Sequence, residues 1–437
     1  MTGRIDSERA VQPMAVQDIV FIHQNMPGQF RHLAMALAKQ KDRFRVFFIT
    51  CRKGVDMAGI ETLRYERPQP KERSSEPFAR SFEAAAGFGR AVAGVALDLA
   101  RKGVRPALVL YHPGWGEGLF LRDIWPGARL LSYAEYYYQP RGGDIGFDPI
   151  FPVTPAGLFN SRAMNANLLL AHEQADVLLS PTHWQKSRHP AILRGKTAVI
   201  FDGIDTNRAK PDPKAGFKLP DGRVLTRKFE VITYVARNLE PHRGYHVFMQ
   251  ALPKLLAVRP HATVLIVGGS DVSYSPRPRD GHADWRAKFA AEIDLGADGA
   301  RVHHLGKLPY SDYMALLQIS SAHVYLTYPF VLSWSCLEAM AAGCMLVASD
   351  TAPVREVIRH EENGLLVPFF DGDQLVAAVC RALDDKALAQ RLRKAARETV
   401  VARYELQNCV KQQLALVEQL LAPPPPRPAP APAPVVA

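Results

Sequence analysis

Two arginines six residues apart, Arg237 and Arg243, lie in the segment ARNLEPHRG, between an apolar strand-like run and a helical one. A loop of that length folds both cations toward one anionic group, and a guanidinium fork matches the oxygens of a phosphate. A second stretch, residues 328–343 (YPFVLSWSCLEAMAAG), follows the apolar run HVYL at 323–326 and reads as a loop entering a helix. Ser335 and Glu338 have the S-x-x-E spacing of a capping box, which marks a helix start. The first-turn N–H groups and the positive end of that helix then face whatever sits above the sheet, and a phosphate is the usual occupant. Glu338 is explained by the cap alone, yet a carboxylate projecting from a first turn also suits a ribose diol. Two further loops close strand-like runs. Gly268-Gly269-Ser270 follows TVLIV and lets a ligand approach the backbone, and Leu305-Gly306-Lys307-Leu308 follows RVHH, where backbone groups can read a base edge.

The first half of the chain offers Gly28, His112, Glu117, Glu135 and His183 at comparable loops. His112 ends a strand and suits a general base or a substrate hydrogen bond, although a lone histidine is as readily structural. Glu135 stands among Tyr133, Tyr136, Tyr137 and Tyr138, a setting that fits a sugar ring or a packed aromatic loop. Ser180 and His183 lack a nucleophile elbow, which excludes a serine hydrolase of that type. No carboxylate pair suggests glycoside hydrolysis, and no spacing suggests a metal site.

The chain has 437 residues, 47% of them hydrophobic and 22% charged, enough for two soluble α/β domains. The net charge of +11 calls for an anionic partner. A phosphorylated ligand or an anionic membrane surface fits; nucleic acid does not, for want of any aromatic or zinc-finger signature. Arg31, Lys39, Lys41, Arg43, Arg45, Arg52 and Lys53 supply a candidate basic patch for peripheral membrane contact. Five scattered cysteines without a CxxC pair fit a reducing cytoplasm. No apolar run reads as a signal peptide or a membrane span.

Strand, glycine-containing loop, helix and strand recur in order, the βαβ alternation of parallel sheets. The first series runs from DIVFIH at 18–23 through strands near 45–49, 107–111, 129–133, 177–179 and 197–200, with a long helix near 79–102 and another near 161–173. The second runs from 230–235 through strands near 263–267, 302–305, 345–348 and 363–367. The expected organisation is a flexible arm at 1–16, a first Rossmann-like domain at 17–208, a linker of little periodicity at 209–228 and a second Rossmann-like domain at 229–404. A terminal helix at 405–421 packs back on the first domain, and the proline-rich tail at 422–437 is disordered. Ligands in such sheets bind beyond the carboxyl ends of the strands, so the default site is the cleft between the domains.

With these residues in place the chain resembles the family 4 glycosyltransferases, retaining enzymes of the GT-B fold: two Rossmann-like domains facing a cleft, with C-terminal helices. The resemblance rests on FIHQNMPGQFRHLA near the start, HPGWGE at 112–117, SPTHWQ at 180–185, DGID at 202–205, ARNLEPHRG at 236–244, GKLPY at 306–310 and SWSCLEAMAAG at 333–343. It implies transfer of a sugar from a nucleotide-diphosphate donor to a glycan or lipid-linked acceptor, as in polysaccharide biosynthesis, with no metal and no cofactor beyond the nucleotide sugar. The donor is expected on the second domain and the acceptor on the first. Arg237 and Arg243 then fall on the diphosphate, and Glu338 matches the second glutamate of an E-x7-E motif, which binds the ribose. Gly28, Gly268, Gly306, Lys307, Leu308, Val331, Leu332, Ser333 and Ser335 fall around the donor, and His112, Glu117 and Glu135 on the acceptor side. The first glutamate of the motif is replaced by Phe330, which removes the usual contact to the transferred sugar. The same features suit a non-catalytic nucleotide-sugar-binding protein.

Overall fold

The computed structural model describes residues 15–69 and 76–423. The expected arm at 1–16 and tail at 422–437 therefore lie, but for their innermost residues, outside the described residues, as do residues 70–75 of the charged segment near 64–77.

Continuous apolar runs form two sheets buried on both faces. The first has seven strands: β1 (Gln17–Ile22), β2 (Phe44–Thr50), β3 (Ile60–Arg64), β4 (Pro106–Tyr111), β5 (Arg129–Tyr133), β6 (Val177–Ser180) and β7 (Thr197–Val199). Its order is β3-β2-β1-β4-β5-β6-β7. After a short hairpin, β8 (Gly216–Lys218) and β9 (Val224–Thr226), comes a second sheet. It comprises β10 (Val231–Asn238), β11 (Thr263–Gly269), β12 (Val302–His304), β13 (Ala322–Tyr325), β14 (Leu346–Ser349) and β15 (Leu365–Val367), ordered β12-β11-β10-β13-β14-β15. Every pairing in the two large sheets is parallel. This is the pair of Rossmann-like domains expected from the alternation.

The strand order reverses between β1 and β4 in the first sheet and between β10 and β13 in the second. At such a switch point the loops leaving two neighbouring strands diverge to opposite faces and open a crevice. The loops in question are 23–30 and 112–117 in the first domain, and 239–244 and 326–333 in the second. They carry the residues singled out above.

Local differences have local causes. The stretch 209–228, expected as a linker, contains the β8–β9 hairpin. Phe217, Leu219 and Leu225 are buried against Met314 and Leu317, so the segment is packed onto the second domain. Its strands are three residues long, too short for their alternation to show. The helix expected near 161–173 is two helices, Pro155–Met164 and Ala166–Glu173, parted at Asn165. The Asn165 amide bonds both the N–H and the C=O of Tyr138, at 2.9 and 2.8 Å, which fixes the aromatic loop against the break. The terminal helix Leu406–Leu421 lies on the first domain: Val417 joins the core around Ile19 and Phe21, and Arg43 pairs with Glu418 at 2.9 Å.

The domains touch through specific polar contacts. The Glu356 carboxylate, from the second domain, accepts the N–H groups of His183 and Trp184, both at 2.8 Å, at the start of the first domain's His183–Arg188 helix. It acts as a helix cap supplied from across the interface. Glu356→Ala is expected to cost ~1 kcal/mol, the usual worth of a helix cap, seen as a lower urea midpoint with an unchanged circular dichroism spectrum. An unaltered midpoint would show that the cap does not hold the domains together.

Candidate functional site

Arg243 ends a short turn of helix, Pro241–Arg243, that follows β10. The next residue, Gly244, has φ +70°, and a Cβ there would stand 2.3 Å from Leu326 Cβ, so the chain can turn this tightly only at glycine. That turn sets the Arg243 side chain against the loop leaving β13. Its Nη1 donates to Thr327 Oγ1 at 2.7 Å and to the Val331 carbonyl at 3.3 Å, and its guanidinium lies 5.2 Å from the centre of the Tyr274 ring. Tyr234 Oη donates to the Arg243 carbonyl at 2.6 Å from below. Tyr274 is itself held by Glu240, whose Oε2 accepts the N–H groups of Ser273, Tyr274 and Ser275 at 3.1, 3.1 and 2.9 Å. Arg243 is only 7% exposed, and among the described residues no carboxylate pairs with it. Arg237, on the same strand–loop junction, is exposed and makes no ion pair or hydrogen bond among the described residues.

The loop after β13 enters the helix Trp334–Ala341, and the N-cap is Ser333, whose Oγ accepts the Ser335 N–H at 3.1 Å. The capping box expected between Ser335 and Glu338 is not formed. Ser333 takes the cap because Tyr325 Oη accepts its N–H at 3.1 Å and fixes the residue in an extended conformation. Glu338 instead receives the phenol hydroxyls of Tyr310 and Tyr313, at 3.0 and 2.9 Å. Burial raises its pKa, and the two phenols and the Arg208 charge only partly offset that. Val331 and Leu332 are buried with their backbone lining the loop. Phe330, where the motif would place a carboxylate, packs among Tyr136, His242 and Tyr274 with ring centres 4.4, 4.7 and 4.8 Å away.

At the neighbouring strand ends the Gly268 N–H donates to the Gly306 carbonyl at 2.9 Å. A Cβ on Gly268 would stand 2.7 Å from Leu239 Cδ2, and one on Gly269 would stand 2.5 Å from Lys307 Cε, so the exposed Lys307 lies across the glycine pair. Leu308 is half buried behind it. Gly268, Gly306 and Lys307 thus form one edge of the crevice, and Arg243, Val331, Ser333 and Ser335 another.

On the first domain the structure unites residues the sequence left separate. His112 Nδ1 accepts the Gly114 N–H at 3.1 Å, so the neutral ring carries its proton on Nε2 and donates it to Glu135 Oε2 at 3.2 Å. His23 is fixed the same way by the Asn25 N–H at 2.9 Å, and its Nε2 meets Gln29 Oε1 at 2.8 Å. Gln29 Nε2 then donates to Glu135 Oε1 at 3.0 Å. Burial pushes the Glu135 pKa up, but His112, His23 and Gln29 outweigh it and hold the carboxyl below its ordinary range. Burial and the neighbouring His112 bring His23 down to about 3, so it stays neutral. Gly28 packs over the His23 ring on this domain. Glu117, expected on the acceptor side, is 1% exposed; it receives the Tyr65 hydroxyl at 3.2 Å and faces the core. It lies too deep to meet an acceptor.

Asp202 joins the two sides. Tyr133 Oη and Trp334 Nε1 each donate to it at 2.8 Å, the second from the first residue of the site helix. Burial raises it to about 7, with His112 and Glu135 acting on it from the same cluster. The Glu135 cluster therefore stands beside the N-terminus of the Trp334–Ala341 helix. The assembled site presents a buried cation, an exposed cation and helix N–H groups from one domain, and a carboxylate from the other. Tyr274, Glu240, Tyr310, Tyr313, Gln29 and Asp202 were not foreseen. Tyr310 closes the GKLPY motif with Tyr313 three residues on, and Gln29, Asp202 and Glu240 stand inside FIHQNMPGQFRHLA, DGID and ARNLEPHRG, but nothing in the spacing assigned them individual roles.

Comparison with known proteins places this geometry. Residues 42–209 match the family model described as glycosyl transferase family 4 group, and residues 222–399 match that for glycosyl transferases group 1. A phosphatidyl-myo-inositol mannosyltransferase of Mycolicibacterium smegmatis is 31% identical over 44% of this chain and 45% of its own length. A glycogen synthase of Mycobacterium tuberculosis is 30% identical over 48% of this chain and 45% of its own. The matches thus span less than half of each of these relatives. Among solved structures, a sucrose-phosphate synthase from Thermosynechococcus elongatus superposes with a TM-score of 0.70 at 20% identity, covering 92% of this chain and 99% of that one, and shares the two-domain GT-B fold.

Burial raises Glu117 from an ordinary value of 4.5 to about 7. The folded chain keeps that proton between these pH values while the unfolded chain has lost it. Folding therefore takes up a proton, and stability falls as pH rises from about 4.5 to about 7 and levels off above. Asp202, raised to about 7, acts in the same sense. Glu117→Gln is expected to flatten the fall in thermal midpoint between pH 5 and 8 and to raise the midpoint at pH 8. A slope equal to that of the wild type would contradict the assignment.

Proposed function

We propose, since the chain belongs to the family 4 glycosyltransferases, that it transfers a hexose-type sugar from a nucleotide-diphosphate sugar to a glycan or lipid-linked acceptor, with retention at the anomeric carbon and without a metal ion. The observation that carries this reading is Arg243. It is a buried guanidinium with no carboxylate partner among the described residues, set beside a helix N-terminus at the switch point of the second sheet. As the bond from the sugar to the diphosphate breaks, the electron pair stays on the diphosphate oxygen. Arg243, Arg237 and the N–H groups near Ser333 and Ser335 are oriented beforehand to take that growing charge. Glu338, held by two phenols, is the acceptor for the ribose hydroxyls. Gly268, Gly306, Lys307 and Leu308 lie where the nucleoside extends along the strand ends.

The acceptor hydroxyl, held on the first domain's side with Glu135 as its hydrogen-bond acceptor and His112 positioning Glu135, forms its new bond to the same carbon on the face the diphosphate leaves, and its proton passes to the departing diphosphate oxygen. Contacts across the cleft exclude water during the exchange. The relatives named above act on a phosphatidyl-myo-inositol and on glycogen, which supports a lipid-linked or glycan acceptor without choosing between them. Phe330 motivates a second reading, a nucleotide-sugar-binding protein without transfer. An aromatic wall stands where the motif would place a carboxylate, and that reading expects donor binding with no release of nucleotide.

For a lipid-linked acceptor, work at the cytoplasmic face of a membrane is part of the proposal. Arg31, Lys39, Lys41, Arg52 and Lys53 remain exposed, whereas Arg43 and Arg45 are paired with Glu418 and Asp18. No helix among the described residues is long and apolar enough to cross a bilayer. Co-sedimentation with liposomes should rise with their content of acidic lipid and fall with salt; insensitivity to both would remove the membrane from the proposal. Arg237→Ala is expected to lower nucleotide release from the donor by roughly 100-fold or more, as loss of a contact to transition-state charge does, while the folded spectrum is kept. Full turnover in the folded variant would overturn the assigned role.

A further inference from the structure

A second concentration of cations lies at the opposite end of the second sheet's strands. A groove of about 900 Å³ is lined by Arg227, Lys386, Arg393, Lys394 and Arg397. It also touches Ser321, immediately before β13, and Gly343, three residues before β14, so it opens at the amino ends of strands whose carboxyl ends form the cleft. The three arginines bond only to main-chain carbonyls. Arg227 Nε donates to Gln318 at 2.6 Å and Arg393 Nη2 to Ser321 at 2.6 Å. Arg397 Nη1 reaches Ala341 at 2.6 Å and Ala209 at 3.0 Å. Arg393 Nε is buried without any partner. The lone carboxylate in the lining, Glu398, is exposed and stands 3.8 Å from Lys394.

Burial pulls the Arg393 and Arg397 pKa values below the usual guanidinium range, which reflects the cost of holding these charges away from water without a counter-ion. A carboxylate would ordinarily relieve it. Ala389, Leu383 and Val401 supply an apolar wall beside the cations. We infer that this groove binds a phosphate-bearing ligand, at a site separate from the cleft, with Arg393 and Arg397 facing the phosphate oxygens and Lys386 and Lys394 at the rim. Guanidinium forks suit phosphate oxygens, the rim lysines act as point charges, and the apolar wall takes the ligand's organic part. The inference does not depend on the function proposed for the cleft.

Inorganic pyrophosphate and vesicles of phosphatidylglycerol in phosphatidylcholine serve as probes, titrated into the full chain carrying Arg237→Ala to weaken the cleft. Comparison is with the same chain also carrying Lys386→Glu and Lys394→Glu, two exposed positions that hold no main-chain group. Binding of pyrophosphate that falls roughly tenfold or more with the charge reversals supports a site for a free phosphorylated solute. Vesicle binding with the same dependence, but none to pyrophosphate, supports a lipid headgroup as the source of the phosphate. Binding indifferent to the reversals, or no binding of either probe, overturns the site.

Discussion

Arg243 carries a full charge into a position 7% exposed, with no carboxylate to meet it. A buried ion normally finds a counter-ion or is excluded, because water's stabilisation of it is lost. Here the surroundings supply only a hydroxyl, a carbonyl and the face of an aromatic ring. These orient the guanidinium without neutralising it. The rest of the second domain's crevice follows from that need. Gly244 permits the turn, Glu240 holds the loop that carries Tyr274, and Tyr325 sets Ser333 as the cap of the helix beside it. In the function proposed here a diphosphate would restore the missing charge, and the parallel sheet supplies the place, since its switch point is where two loops part.

The first domain is held to that crevice by contacts of a different kind. Trp334 reaches across to Asp202, Glu356 caps a helix of the first domain, and Asp148 pairs with His246 at 3.0 Å while accepting the Tyr328 hydroxyl. Phe147 packs on Phe369 and Phe370, and Tyr136 on Phe330. The aromatic loop, which suited either a sugar ring or internal packing, thus sets Tyr136 and Phe147 against the other domain. Glu135, its side chain 37% exposed, and the half-buried Trp115, which lies beside His23 and His112, remain accessible. A carboxylate kept ionised by His112 and Gln29 is an anchor for hydroxyl groups.

Much of this was legible in the residues. β1 and β10 are continuous apolar runs, as strands buried on both faces must be, and the glycine-containing loops after them announced the crevices. Arg237 and Arg243 stood out because their guanidinium forks match phosphate oxygens and a helix N-terminus was expected in the same domain. Short elements and tertiary choices were not legible. Ser333 and Ser335 compete for one cap, and a tyrosine from β13 decides between them. Glu338 satisfies a local rule but answers to two phenols from another helix. Glu117 sits in the same glycine-rich stretch as His112, yet the chain turns it inward to Tyr65. The β8–β9 hairpin hides in a segment whose lysines, arginines and prolines read as a linker. In each case sequence spacing allowed two outcomes, and packing between distant segments selected one.

The central claim is that the crevice of the second domain receives a nucleoside diphosphate. The most direct measurement is the thermal midpoint of the chain against a panel of nucleoside diphosphates and their sugar conjugates. A ligand that binds only the folded state stabilises it in proportion to the logarithm of its concentration over the dissociation constant. One base is expected to raise the midpoint as diphosphate and as sugar conjugate, with the rise lost in a chain carrying Arg243→Ala that still unfolds cooperatively. A panel in which no nucleotide moves the midpoint, or one whose effect is indifferent to Arg243, contradicts the account.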